Sequence, residues 1–460
     1  MKLELHTEAA KNFNSKAEGL LAELTSVPLT PHQGHQGPLD PDVHVAAHFN
    51  PQNIIGDVKV KYIDYSGNEV AKSFELGAAR VGLFGDGYKN LVRIAEGMHK
   101  SRAIQNAVSL GLLIDLIFDW VRLRHQAAPV PQMTDYVLGE CEKRLEDVEI
   151  WIPVYMLHVQ SPLTIGWVTL TEITRAMLDE WHGGMIAQVP EESRAVVEHH
   201  LSQERSKFQG FAAATLKMRA EPERAAEVAF EEAEQCLALL RFFAPASFNP
   251  KYTSYCVPLG REHVESSEYL TVRDGKITSY FTGVVDMREP AWALSTKKIA
   301  ELRANGIDAL NGMLAEPKRS EYQEDLLAAL RMYSKSALAK DFADRLVYML
   351  IALESMFLRN NSEPIVDNIS ERMALFAGQT VSERRAIVSN VKKTYGLRSA
   401  FVHHGRGIGI DEITTLEKFM VTAWRCMQSL IGYAADGSAT KVILLDRLED
   451  MKLSGGASGA

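Results

Sequence analysis

The residues best placed to do chemistry together lie near the C-terminus, in the stretch KKTYGLRSAFVHHGRGIG, residues 392 to 409. Arg398 offers a permanently charged, forked guanidinium that can hold a phosphate through two hydrogen bonds. His403, five residues on, offers an imidazole of the kind that takes and returns protons near neutrality. One group to hold a phosphate and one to move a proton suffice for phosphodiester transfer without a metal. The spacing alone says little, because Arg93 precedes His99 and Arg194 precedes His199 at similar intervals.

Context separates the three pairs. Glu96 lies inside the first, and Glu198 lies inside the second, which is flanked by Glu191, Glu192 and Glu204; these charges would repel a phosphate. From Arg384 to Ile410 there is no Asp or Glu, while Arg384, Arg385, Lys392, Lys393, Arg398 and Arg406 give the window a charge of +6. The whole chain is at −9, so any contact with a polyanion must be local rather than spread over a basic surface. A solvated basic helix is equally consistent with this composition. Five residues at about 100° each set Arg398 and His403 about 140° apart on a regular helix. A working site therefore needs either an irregularity near Gly396 or Gly405, or a second copy of the segment.

The elements that must position these residues can be read from pattern. Phe342, Leu346, Leu350, Leu353 and Phe357 step at three or four residues and form an apolar stripe on a helix. SERMALFAG reads as a short helix closed by Gly378. Thr380-Val381-Ser382-Glu383 fits a capping box that starts the basic helix. A last helix, roughly Glu412 to Tyr433, carries Leu416, Met420, Ala423, Met427 and Leu430 on one side. Residues 316–453 are therefore expected to be a bundle of four or five helices, with 454–460 a flexible tail.

Upstream the character is mixed. A Pro-, Gly- and His-rich stretch over 26–53 reads as a loop. It is followed by a hairpin turning at Ser66-Gly67-Asn68, and by one long helix from about Leu91 to His125. These make an N-terminal region, 1–128. In 129–315, EIWIPVYMLHVQ, IGWVTLTEIT and AATLKMRA read as strands of a largely antiparallel sheet. Pro222 opens a helix, Trp181-His182-Gly183-Gly184 reads as a helix end, and Asp274-Gly275 turns a second hairpin. The fold class is α+β through the N-terminal and middle regions, followed by an all-α C-terminal bundle. The chain of 460 residues exceeds the ~250–300 at which single cores stop growing.

TYGLRSAFVHHG, preceded by a basic helix and by DRLVYMLIALESMFL, resembles the HEPN family, most closely its Apea-like branch. The resemblance covers roughly residues 320 to 450. In that family a helical bundle carries an arginine, usually a polar residue after it, and a histidine four to six positions on. Arg398, Ser399 and His403 match, and His404 also falls within the spacing. Glu354 lies in the preceding long helix of the same resemblance. It implies a metal-independent endoribonuclease whose homodimer brings two Arg/His pairs into one cleft, with RNA as substrate and 2′,3′-cyclic phosphate ends as products. It also implies a toxin-like role in bacterial stress or phage defence. Some family members are non-catalytic and serve as RNA-, nucleotide- or protein-binding modules. WIPVYMLHVQSPLTIGWVTLTEIT resembles regions upstream of such domains, which implies a sensing domain and a trigger or inhibitor acting at the N-terminal side.

Other chemistry finds little footing. Cys141, Cys236, Cys256 and Cys426 are scattered and read as reduced, mostly buried thiols of a cytosolic protein. The N-terminus lacks the apolar core of a signal peptide. SLGLLIDLIFDWV, interrupted by Asp115 and Asp119, falls short of the ~20 residues that cross a bilayer, so no membrane partner is expected. His44 and His48 are four apart, but with His32 and His35 they lack a completing carboxylate or cysteine, so no metal or other cofactor is expected. GLFGDGYKN has neither the lysine of a P-loop nor the dinucleotide spacing and reads as a turn. His199-His200 reads as a solvated face.

Overall fold

The computed structural model describes residues 3–28, 59–64, 66–77, 79–254, 256–259, 266–273, 276–284, 292–316, 318–360, 362–435 and 437–454. His32, His35, His44, His48, the turn at Asp274-Gly275 and the tail beyond Ser454 lie outside the described residues. The chain divides into two compact units, one of residues 1–148 with 217–228, the other of 149–216 with 229–460.

In the first unit, α1 (Thr7–Leu20) leads to β1 (Thr25–Pro28), β2 (Lys59–Ile63), β3 (Glu69–Leu76) and β4 (Ala79–Leu83). These strands form a sheet in the order β1-β4-β3-β2, every neighbouring pair antiparallel. The expected hairpin is there: Gly67, at φ +84°, turns β2 into β3, and Asp64 accepts the backbone N–H groups of Ser66 and Asn68. Gly82 has its own reason to be glycine, since a Cβ there would stand 2.4 Å from the Lys72 carbonyl oxygen. Four helices complete the unit: α2 (Gly85–His99), α3 (Arg102–Gln105), α4 (Leu110–His125) and α5 (Met133–Glu142). The single long helix expected from Leu91 to His125 is thus broken in two places. Ser109 caps α4 by accepting from Leu112 N–H, and its own N–H donates to Glu221, a partner 112 residues away that no local pattern announces. The apolar run does make a buried helix, with Leu113, Leu116, Ile117, Phe118, Trp120 and Val121 in the core.

The second unit takes most of β5 (Glu146–Tyr155), then β6 (Leu157–Val159), β7 (Leu163–Ile165), β8 (Val168–Glu172), α6 (Arg175–Ile186) and α7 (Glu191–Phe208), while β9 (Ala212–Ala220) and α8 (Pro222–Phe242) are each divided between the two units. With β10 (Val257–Pro258) the sheet runs β10-β5-β9-β8-β7. Its β10–β5, β7–β8 and β8–β9 pairs are antiparallel, as expected. The glycines at 183 and 184 do not end α6, which continues until Ala187 caps it, three residues before Pro190. Then come β11 (Ser266–Arg273), β12 (Lys276–Val284), β13 (Trp292–Leu294), α9 (Thr296–Ala304) and α10 (Ile307–Ala315).

From there the chain is helical: α11 (Glu321–Lys335), α12 (Phe342–Phe357), α13 (Ile365–Ala377), α14 (Val381–His404), α15 (Ile413–Ala434) and α16 (Lys441–Leu453). The architecture is an α+β N-terminal region and a helical C-terminal half. Six helices replace the four or five expected, because α16 follows the supposed last one; it buries only Leu444, Leu445 and Leu448, too short a stripe to stand out in sequence. The stripes on α12 and α15 are buried, except that Phe342 is only half-buried. Around them sit buried and half-buried polar groups with partners. Arg345, 1% exposed, donates to the carbonyls of Ala339 and Pro250, and the Trp424 indole donates to Phe242 O at 2.9 Å. All four cysteines are buried and free.

Candidate functional site on the basic helix

Helix α14 starts where the sequence says it should. Thr380 accepts from Glu383 N–H at 3.2 Å, and the Glu383 carboxylate accepts from Thr380 N–H at 3.0 Å, so the two satisfy each other's free groups. The helix then runs for 24 residues without a break at Gly396. It ends at Gly405, whose left-handed φ of +63° costs a glycine little, just after His404. The irregularity that could have brought Arg398 and His403 together within one chain is therefore absent.

Val391, Thr394 and Tyr395 are its buried residues, while Arg385, Ser389, Lys392, Lys393, Gly396, Ser399, His403 and His404 are exposed. On a wheel of ~100° per residue, Arg398 falls among the buried positions and His403 near the middle of the exposed ones. Arg398 is accordingly half-buried; its Nε is shut off from solvent and has no hydrogen-bond partner.

Arg398 has an aromatic neighbour on its own helix. Tyr395, one turn earlier and 6% exposed, donates its hydroxyl to Glu354 Oε1 of α12 at 2.9 Å. Burial first, then the Glu354 carboxylate, push the Tyr395 phenol well above its usual range, with Arg398 pulling the other way. Tyr395 is thus a neutral donor across the physiological range. Glu354, which the family resemblance sets in the preceding long helix, is the acceptor that this tyrosine holds. An aromatic one turn before Arg398 was the available signal.

The charges of the segment are less free than the sequence suggests. No carboxylate lies between 384 and 410, but the fold supplies two from outside. Asp367 of α13 pairs with Lys392 at 2.7 Å and raises its pKa, and Glu412 pairs with Arg406 at 3.0 Å. Arg384 turns back to donate to Gly378 O at 3.0 Å, where it caps the end of α13. Arg385 and Lys393 are exposed and form no ion pair among the described residues. The six cations therefore divide into three engaged (Arg384, Lys392, Arg406) and three available (Arg385, Lys393, Arg398).

Among the described residues, no group of three or more His, Cys, Asp or Glu is placed to hold a metal, and no helix is long and apolar enough to cross a membrane. The chain matches no protein-family model, no curated protein and no solved structure.

Proposed function

We propose that this chain is a metal-independent endoribonuclease whose site is completed by a second copy, with Arg398 of one protomer facing His403 of the partner subunit. The observation that carries the reading is the end of α14. There a half-buried arginine with an unpaired Nε and two exposed histidines share one helix terminus, within a carboxylate-free stretch, residues 384–410, that carries a charge of +6. A single chain holds the two groups on different sides of a regular helix, and a two-fold related α14 is the economical way to bring them face to face.

In the proposed reaction, a ribose 2′-OH gives its proton to one histidine as its oxygen attacks the adjacent phosphorus. The O2′–P bond forms, the P–O5′ bond breaks, and the 5′-oxygen leaves with the proton that this histidine returns to it. Arg398 binds the non-bridging oxygens and offsets the charge that grows on them. Ser399, exposed next to Arg398, can hydrogen-bond the same phosphate. Arg385 and Lys393 extend the contact along the strand, and three available cations give a log–log salt slope of roughly −2 for single-stranded RNA.

The test is cleavage of a mixed RNA pool in EDTA by wild type, Arg398→Ala and His403→Ala. Cyclic phosphate ends that disappear in both variants support the reading; cleavage that persists in both contradicts it. A second reading, a non-catalytic RNA- or protein-binding module, is favoured by the three engaged cations and by the separation of Arg398 from His403. It predicts salt-dependent RNA binding with no cleavage under any condition.

A further inference from the structure

The first unit holds a cavity of about 680 Å³, within the ~300–1,000 Å³ usual for small-molecule sites. Its apolar wall comes from Tyr62 near the end of β2, Val70 of β3, Phe84 ahead of α2 and Val92 within α2. The Tyr62 and Phe84 rings stand 5.5 Å apart at 60°, leaving flat surfaces suited to an aromatic ring.

The polar lining decides the charge of the occupant. Glu69 faces the cavity, but its charge is already spent. It accepts the Tyr88 hydroxyl at 2.9 Å, Lys72 at 3.1 Å and Lys61 at 3.5 Å. The same two lysines also reach Asp115, so two cations and two carboxylates close on each other. On successive turns of α2, Lys89 and Arg93 line the cavity, with Glu96 one turn further on. Lys89 is held only by an exposed pair with Asp86, which is weak. Arg93 donates one hydrogen bond, from Nη1 to Asn90 Oδ1, and keeps the rest of its fork. With Glu69 neutralised, the lining residues Lys89, Arg93 and Glu96 sum to one positive charge in excess, the Asp86 partner of Lys89 standing outside the lining, which matches a single carboxylate and disfavours a polyphosphate.

We infer that this cavity between the β2–β3 hairpin and α2 binds an aromatic monocarboxylate, its ring against Tyr62 and Phe84 and its carboxylate on Arg93 and Lys89. Nothing in this inference depends on the chemistry proposed for α14.

The test is calorimetric titration of the full chain with indole-3-acetate, neutral indole and ATP. Indole-3-acetate is expected to bind at least tenfold more tightly than either of the others. Arg93→Glu, an exposed position, should weaken it at least tenfold. Val70→Trp, also exposed, should abolish binding by filling the space. Both variants should keep the wild-type melting temperature, and Arg398→Ala should bind normally. No heat from indole-3-acetate at millimolar concentration, tighter binding of ATP, or full affinity in Arg93→Glu would each overturn the inference.

Discussion

Helices α7 and α14 carry the same arrangement of residues: Arg194 precedes His199-His200, and Arg398 precedes His403-His404, at identical spacing. Their surroundings differ in every respect that matters to a phosphate. α7 buries none of its residues, contains Glu198 between its Arg and His, and spends Arg194 Nε on the Val189 carbonyl. α14 lies against α13 and α15, anchors Tyr395 on Glu354, and leaves Arg398 Nε without a partner. The same spacing is present twice; of the two arginines, only Arg398 keeps an Nε shut off from solvent and without a partner.

The largest difference is expected when each Arg/His pair is removed in turn. Arg398→Ala and His403→Ala are each expected to lower RNA cleavage by about 10²–10⁴-fold, while Arg194→Ala and His199→Ala leave it unchanged. Equal losses from the two helices would erase the distinction.

Next in size is a contrast in ion pairs. Arg372 of α13 grips Glu363 with two hydrogen bonds, 2.7 and 2.9 Å, both side chains largely buried. This hydrogen bonding lowers the Glu363 pKa to about 2. Because the folded-state value is depressed, the stabilisation is complete above the unfolded value near ~4.5 and is lost as pH falls towards 2. Glu363→Gln should cost about 2–3 kcal/mol at pH 7 in urea unfolding, and the difference from wild type should shrink below pH 4. Asp179→Asn, which breaks the exposed Arg205–Asp179 pair between α7 and α6, should cost less than ~1 kcal/mol at either pH.

Smaller still, Tyr395→Phe removes the donor to Glu354 and should cost about 1.5 kcal/mol. Thr380→Ala deletes the side-chain half of the capping box and should cost about 1 kcal/mol. His200→Ala on α7 should stay within ~0.5 kcal/mol. Thermal unfolding of the three variants ranks them directly, and a loss from His200→Ala equal to that from Tyr395→Phe would contradict the contrast.

What the sequence disclosed follows the range of the interactions. The capping box at Thr380, the Gly67 turn, Pro222 in the first turn of α8 and the apolar stripe of α15 rest on contacts within a few residues, and all were readable. The split of the Leu91–His125 stretch depends on Glu221, more than a hundred residues on. The pairing of Lys392 and Arg406 depends on Asp367 and Glu412, outside the carboxylate-free window. The role of Tyr395 is not legible in sequence because its acceptor, Glu354, is 41 residues away on another helix. The 140° separation of Arg398 and His403 was legible, being simple helical arithmetic; that neither Gly396 nor Gly405 relieves it required the fold.

Whether two chains share one site is tested by a mixing experiment. Arg398→Ala and His403→Ala proteins are purified separately, confirmed inactive, then unfolded together and refolded so that their chains exchange. If each site takes its arginine from one chain and its histidine from the other, half the dimers are mixed and each holds one intact site, restoring roughly a quarter of wild-type cleavage. A mixture that remains as inactive as its components, with mixed dimers shown to be present, would contradict the shared site.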